Sequence, residues 1–183
     1  STYDFELARL GARLIFRRRE AIAALQTPLQ DLHTEIAGEG QLRMRLRSRG
    51  LSGAEETEEE IRASLTQAMA EASSDEIQRA QALIGPHRDE VLVHLDDKMA
   101  RNFASQGQAR SIVLALKLAQ WSAAGAQGDP PLFLLDDLGS ELDLHRRGRL
   151  LDLLRGLPGQ VWLTTTDLSF VDSVPRAERL ELG

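Results

Sequence analysis

The stretch Pro131-Leu-Phe-Leu-Leu-Asp-Asp-Leu-Gly-Ser-Glu-Leu-Asp143 decides the fold expected for this chain. Its four apolar residues, 132–135, run directly into the adjacent carboxylates of Asp136 and Asp137. A short continuous apolar run is typical of a strand buried on both faces of a parallel sheet. Ligands bind beyond the carboxyl ends of such strands, where two carboxylates could hold a hydrated Mg²⁺ and an attacking water. The stretch therefore has the Walker B pattern of nucleotide hydrolases; the alternative is two acids that only cap the following turn.

The composition is that of an ordinary globular protein. Of its 183 residues 42% are hydrophobic and 27% are charged, which predicts one cored domain with a smaller appendage. The absence of cysteine excludes disulfides, thiolate zinc sites and cysteine nucleophiles. A net charge of −6 argues against a uniformly basic nucleic-acid binder. With no apolar run of membrane length and no signal-like start, we expect a cytoplasmic protein without a membrane partner.

The first 80 residues are predicted to form a mainly helical unit. Apolar side chains at helical spacing predict an amphipathic helix over 4–25, which Thr27-Pro28 should interrupt before a shorter helix to about Ala37. An acidic helix should begin at Ser52 or Thr57, because carboxylates are favourable in a first turn.

Residues 42–48 alternate between apolar and arginine side chains, the period of a strand with one apolar and one basic face. The basic face, with one arginine just beyond it, could meet DNA phosphates. The alternative is a solvated face whose charge is balanced by the acids at 55–60. The candidate DNA-binding residues are Arg43, Arg45, Arg47 and Arg49.

From residue 81 the pattern changes to alternating strands and helices. Residues 132–135, 144–155 and 161–163 predict a strand–helix–strand unit with parallel strands. It ends in Thr164-Thr-Thr-Asp167, again polar residues at the carboxyl end of a strand. The further elements predicted are strands at 81–86, 91–95 and 178–182, a turn at 96–97, a long buried helix that Ser105 opens, and a loop at 125–131.

The segment Ser105-Gln-Gly-Gln108 precedes the long helix and has two compatible interpretations. Serine at the N-cap with glutamine three residues later predicts a capping box. The same helix start, with a hydroxyl and a glycine that permits close approach, is also a surface suited to phosphate.

Four motifs in this order resemble the second half of an ABC-type ATPase head and, more narrowly, the RecF family of bacterial recombination-mediator ATPases, which act in single-strand gap repair. The resemblance is specific from about residue 80 to 182 and weaker before it. The motifs are Gly85-Pro-His-Arg-Asp89, Phe103-Ala-Ser-Gln-Gly-Gln108, Leu134-Leu-Asp-Asp-Leu-Gly-Ser-Glu-Leu-Asp143 and Thr164-Thr-Thr-Asp167.

The resemblance implies a role for each matching residue. Asp136 would hold Mg²⁺ through a water, and Asp137 stands at the general-base position, where many relatives have glutamate. The shorter aspartate fits a slow, switch-like ATPase. Ser105 and Gly107 would touch the γ-phosphate of ATP held by the other subunit of a dimer, and Asp143 would lie in the loop that crosses the dimer interface.

Four further positions belong to the same motifs. Gln108 and Thr166 are the remaining candidate nucleotide contacts. Thr166-Asp167 stands where many ABC heads have a histidine, so γ-phosphate sensing by histidine is in doubt here. For His87 and Arg88 a structural role in the turn is the default interpretation, and a role near DNA or nucleotide is the alternative.

No Gly-x-x-x-x-Gly-Lys-Ser/Thr loop occurs in the sequence. We therefore expect the chain to be a C-terminal portion, inactive alone, with a helical arm at 1–80 and an α/β ABC-type lobe at 81–183. The resemblance implies a nucleoid-associated ATP-dependent DNA repair protein of recombination, replication restart and the SOS response. It would dimerise on ATP, bind duplex DNA or gap junctions, and load recombinase with a RecR-type partner. The alternatives are another SMC-like repair ATPase and a nonenzymatic DNA- or protein-binding adaptor.

Overall fold

In the computed structural model the described residues are 2–126, 128, 131–136, 143–157 and 159–166. They form two compact units, residues 1–27 with 43–94 and residues 28–42 with 95–183. The sequence predicts a different kind of boundary near residue 80, where the helical arm ends and the motifs of the ABC-type lobe begin. That boundary stays a prediction. None of the helices in the described ranges combines the length and apolar character that a membrane crossing requires.

The elements follow one another as helices and short strands, joined in a three-stranded sheet of order β1-β2-β3 and a two-stranded sheet of β4 and β5. The helices and strands, with a single 3-10 turn at Pro86–Arg88, are α1 Thr2–Ala37, β1 Leu42–Arg47, α2 Glu58–Arg79, β2 Glu90–Leu95, β3 Lys98–Met99, α3 Ala100–Phe103, α4 Gln106–Gly125, β4 Phe133–Leu135, α5 Leu144–Gly156 and β5 Val161–Leu163.

Helix α1 runs for 36 residues without a break, so the interruption predicted at Thr27-Pro28 is wrong. Proline removes one backbone donor and crowds the preceding turn, which usually ends a helix. Here the helix continues, and the side chains of Gln26 and Gln30 accept hydrogen bonds from the backbone of Met44 and Leu42. The boundary between the two compact units falls at residues 27 and 28.

The first unit has its own apolar core between α1 and α2. Its fully buried members include Ile15 of α1 and Ile61 and Leu65 of α2. Of the two starts predicted for helix α2, Ser52 and Thr57, the structure has Thr57 as the N-cap; its hydroxyl accepts the backbone N–H of Glu60 in a complete capping box. The sequence places Ile61, Leu65, Ala68 and Met69 on the inner face of this helix, and Ile61, Leu65 and Met69 are buried.

The strand predicted at 81–86 is wrong, and the reason is a side chain. One carboxylate oxygen of Glu76 accepts the backbone N–H groups of Leu83 and Ile84, at 2.6 and 3.2 Å. These amides therefore need no strand partner, although both apolar side chains are buried. Gly85 then takes a positive φ of 133° into the 3-10 turn, a backbone conformation that favours glycine.

The strands at 91–95 and 161–163 and the helix at 144–155 are confirmed, and the turn at 96–97 is made by two aspartates with positive φ. β4 and β5 pair in parallel as predicted. Trp121 of α4 positions β4: its ring lies 5.8 Å from that of Phe133, and its Nε1–H donates to the carbonyl of Pro131.

Burial of β4 on both faces is not found among the described residues. Phe133 is buried, whereas Leu134 and its cross-strand partner Trp162 are 67% and 51% exposed. The likewise predicted burial of α4 holds for most of its apolar residues, although Val113 is exposed. The tail strand predicted at 178–182 lies outside the described residues.

His33 of α1 is 1% exposed, and neither ring nitrogen meets a hydrogen-bond partner in the described structure. Burial lowers the pKa of this ring below its ordinary 6.5, and the nearby charge of Arg146 adds to that effect; the backbone of Gly40 and the Asp96 carboxylate oppose it more weakly. The neutral ring is therefore the form that the fold accommodates.

We expect His33→Leu to flatten the pH dependence of stability below pH 6.5. Because the folded-state pKa is depressed, the contribution of the neutral ring is present above 6.5 and is lost as the pH falls towards the folded-state value. Urea unfolding at pH 7.5 and 5.5 should show that the parent is less stable at the lower pH by an amount that the variant does not lose. His145→Leu, at an exposed position on α5, is the control; an equal effect there would contradict the assignment.

Candidate functional site

Asp136 and Thr164 lie side by side at the carboxyl ends of β4 and β5. The parallel register pairs Leu135 with Leu163, so the next residue of each strand stands at the same edge. The Thr164 amide donates to the Leu135 carbonyl at 2.9 Å, and the Thr164 hydroxyl donates to Oδ1 of Asp136. The sequence analysis named Thr166 among the threonines at 164–166 as a candidate nucleotide contact. The threonine that meets Asp136 is Thr164, the first residue after β5.

Asp137, the predicted general base, lies outside the described residues, as do 138–142 and Asp167. Within the described ranges no group of three or more His, Asp or Glu side chains is arranged to hold a metal ion. Asp136 by itself offers carboxylate oxygens, the ligand type that Mg²⁺ prefers, and Mg²⁺ keeps most of its waters in phosphate sites. The donor type at the end of β4 therefore fits Mg²⁺, with Asp136 as its only described carboxylate.

Ser105 is the N-cap of α4, and the predicted capping box is confirmed. Its hydroxyl accepts the backbone N–H of Gln108 at 3.2 Å, and the Gln108 side chain accepts the backbone N–H of Ser105 at 2.9 Å. Ser105 is exposed, while Gly107 and Gln108 are half-buried. The start of α4 is therefore capped by its own side chains, and Ser105 is accessible. These two observations suit both interpretations of the segment, the capping box and the phosphate-binding surface.

Asp143 caps the next helix, α5. Its Oδ1 accepts the Arg146 backbone N–H at 3.0 Å, and its Oδ2 lies 3.4 Å from Nε of the Arg146 side chain. The hydrogen bond from the Arg146 backbone, with the Arg146 charge as a further cause, lowers the pKa of Asp143. The carboxylate is therefore ionised at neutral pH.

Arg146 also reaches the start of α4, which sequence reasoning missed. A Cβ at position 107 would lie 2.6 Å from Nη1 of Arg146, so the guanidinium fills the space that a side chain there would take. The structure thus links Gly107 and Asp143, two predicted site residues, through a third residue. The signal in the sequence was the arginine that follows Asp143 by three positions, a spacing that pairs side chains on a helix.

His87 and Arg88 both point back into their own turn. The Arg88 guanidinium donates to the Ala82 carbonyl at 3.0 and 2.8 Å, and a ring nitrogen of His87 lies 3.3 Å from the same oxygen. Arg18 of α1 adds hydrogen bonds to the Pro86 carbonyl and to the Asp89 carboxylate, both at 2.6 Å. These contacts are those of the structural role expected for this motif.

The arginines of β1 form one exposed face, as the alternation predicts. Arg43, Arg45 and Arg47 are all exposed, and so is Arg49 beyond the strand end. Arg47 pairs with Glu90 of the neighbouring strand.

Three of the acids expected to balance this face make contacts elsewhere. Glu55 pairs with Arg19 at 3.3 Å, Glu59 with Arg62 at 2.5 Å, and Glu60 completes the α2 capping box. Glu55, Glu59 and Glu60 therefore do not provide the charge balance for the β1 arginines that the acidic run at 55–60 suggested.

No protein-family model matches the chain, but individual proteins do. It is 39% identical over 169 residues to the DNA replication and repair protein RecF of Geobacter sulfurreducens, covering 91% of this chain and 46% of the relative. It is 41% identical over 173 residues to RecF of Symbiobacterium thermophilum, with 92% and 45% coverage. A solved structure of the recombination mediator protein RecF with ATP superposes with a TM-score of 0.77 at 28% identity, covering 91% of this chain and 44% of that one.

The chain is homologous to RecF. It spans about half the length of the RecF relatives that it matches. An Smc head bound to a winged-helix domain of ScpA has a TM-score of 0.51 at 14% identity, which supports the fold alone. Together these neighbours confirm the predicted α/β lobe of ABC ATPase type and its resemblance to the C-terminal half of RecF.

Proposed function

We propose that this chain is the C-terminal half of an ATP-dependent DNA replication and repair protein that dimerises around two ATP molecules. The observation that carries the proposal is the meeting of Asp136 and Thr164 at the ends of parallel strands β4 and β5, in a chain homologous to RecF. This edge is where ligands of α/β sheets bind.

The proposed site is composite. Asp136 and Asp137 would face the ATP whose phosphates are cradled by the P-loop of the same protein, a loop that this sequence does not contain. Ser105 and Gly107 would face the ATP of the second subunit, with Asp143 at the interface between them. Gln108 and Thr166 are proposed as lesser nucleotide contacts. Each subunit then serves two nucleotides, so dimerisation and ATP binding depend on each other.

The proposed enzyme is a slow ATPase. Mg²⁺ supplies charge neutralisation for the transferring phosphoryl group when it is bound, and Asp136 is the residue that would hold it through a water. Asp137 would accept a proton from the attacking water. The Thr164 hydroxyl donates to Asp136 and so fixes the orientation of that carboxylate. The chain alone, without a P-loop, should not hydrolyse ATP.

The direct test uses the full-length protein that carries this chain. Sedimentation velocity with ATP, with ADP and without nucleotide should give dimers with ATP only, and phosphate release should be slow and DNA-dependent. An oligomeric state that does not respond to ATP, with no phosphate release, would favour the nonenzymatic adaptor. An SMC-like ATPase of another kind would hydrolyse ATP without stimulating recombinase assembly at gaps.

DNA is the proposed macromolecular partner, as duplex or as a junction of single and double strands. The relatives bear the name DNA replication and repair protein, and β1 presents arginines suited to phosphate contacts. We further propose that the protein loads recombinase together with a RecR-type mediator in gap repair and the SOS response. It would act in the cytoplasm, at the nucleoid. The support for this proposal is the family resemblance.

We expect the combined replacement of Arg43, Arg45 and Arg47 by glutamine to weaken duplex binding by the full-length protein. Each lost phosphate contact should reduce the slope of log affinity against log salt by about 0.9. Fluorescence anisotropy at several salt concentrations measures both quantities. Arg17→Gln, at an exposed arginine of α1, is the control; an unchanged slope in the triple variant would exclude this face from DNA contact.

A further inference from the structure

Arg146 stands between two elements that are proposed to face the second subunit. Its backbone and Nε contact the carboxylate of Asp143, and its Nη1 occupies the space beside Gly107 in the first turn of α4. The side chain is 23% exposed, so most of it is enclosed by these neighbours. One residue thus contacts both the start of α4 and the start of α5.

The charge of Arg146 makes this position unusual. The N-terminal end of a helix carries partial positive charge, which disfavours a cation at the first turn of α4. The adjacent Asp143 carboxylate offsets that cost, because it is ionised and within 3.4 Å of the guanidinium. Arg155 forms a similar i,i+3 pair with Asp152 on the same helix, but it is the guanidinium of Arg146 that lies beside position 107.

We propose that Arg146 is a positioning residue that holds Asp143, the N-cap of α5, in a fixed place against the signature turn Ser105–Gly107. The inference rests on the proposed function, in which Ser105 and Gly107 face the ATP of the second subunit and Asp143 lies at the subunit interface. Gly107 has a defined part in it, since any side chain there would displace the guanidinium. Asp143 and the signature turn are then preorganised relative to each other before the dimer forms.

A positioning role for Arg146 predicts a different pattern of losses from a purely structural role. In the proposed composite site, Ser105 and Asp143 of one subunit face the other subunit and not the nucleotide held by their own subunit's P-loop. Loss of Arg146 should therefore weaken the ATP-dependent dimer and leave ATP binding by the monomer unchanged. A general loss of folding would impair both.

The experiment compares four variants of the full-length protein. Arg146→Ala keeps the backbone N–H that Asp143 caps but removes the guanidinium. Arg146→Lys keeps the charge and loses the planar fork. Gly107→Ala adds the Cβ that meets Nη1, at a helical position where alanine is the better helix former. Arg155→Ala removes the matched arginine of the same helix and is the control.

We expect Arg146→Ala to weaken the ATP-dependent dimer about tenfold in sedimentation velocity, the size of one lost charged contact. Arg146→Lys should fall between it and the parent, and Arg155→Ala should match the parent. Binding of a fluorescent ATP analogue to the monomer, and the unfolding temperature, should stay close to the parent in the three arginine variants.

A double-variant cycle separates the positioning role from direct phosphate contact. If Gly107 serves partly to admit Arg146, then Gly107→Ala should cost less in the Arg146→Ala background than alone. Dimers of normal strength in Arg146→Ala, equal losses in Arg155→Ala, or strict additivity in the cycle would overturn the inference. If Ser105→Arg also forms normal dimers, then the composite site itself fails; if Ser105→Arg blocks dimers and Arg146→Ala does not, only this inference fails.

Discussion

Replacing Ser105 with arginine will abolish ATP-dependent dimerisation of the full-length protein. Ser105 is exposed at the N-cap of α4, and a bulky cation there would stand where the γ-phosphate of the second subunit's ATP is proposed to bind. The hydroxyl and the close approach beside Gly107 would both be lost. We expect no dimer at ATP concentrations that dimerise the parent fully, measured by sedimentation velocity or by light scattering after gel filtration.

The chain itself offers the control for this variant. Loss of an N-cap serine or threonine costs about 1 kcal/mol of stability, so part of any effect could come from weakening α4. Thr57 makes the same capping box with Glu60 at the start of α2. Thr57→Arg should lose a similar amount of stability and dimerise normally with ATP. Normal dimers in Ser105→Arg, or their loss in both variants, would contradict the signature role.

Replacing Asp137 with asparagine will trap the ATP-bound dimer. Asparagine keeps the size of the side chain and cannot accept a proton from the attacking water, so hydrolysis should fall by about 10²-fold or more. ATP binding does not require that proton transfer and should remain. The dimer should therefore persist after ATP is diluted, for a time set by the residual hydrolysis rate.

Two measurements check this result together. Phosphate release reports hydrolysis, and the decay of the dimer after dilution reports its lifetime. Asp152→Asn, at an exposed carboxylate of α5 paired with Arg155, should behave as the parent in both. An Asp137→Asn protein that hydrolyses ATP at the parental rate would remove Asp137 from catalysis and would favour the nonenzymatic adaptor.

Several features of the fold follow from short stretches of sequence. The apolar run before Asp136 predicts β4, and the alternation over 42–48 predicts the exposed arginine face of β1; both strands are found. The capping boxes at Thr57 and Ser105 are found as well. These features depend on residues within about four positions of one another, which is the range over which periodicity and capping act.

The errors come from contacts that no local sequence pattern reveals. The sequence predicts a strand over 81–86, but the Glu76 carboxylate accepts the amides of Leu83 and Ile84, which lie seven and eight positions further on. Pro28 predicted a helix end, yet α1 continues through it. Propensity is a weak prior that packing overrides when burial along the helix outweighs one lost hydrogen bond.

For the stretch 131–143, the sequence by itself determined that a strand ends in an acid and that a helix begins after Asp143. Only the tertiary structure decided the neighbours of these residues: Thr164 donates to Asp136, and Arg146 joins Asp143 to Gly107. The reason is physical. A strand or a helix start is specified by groups close in the chain, whereas the partner of a side chain is chosen by which other elements pack against it.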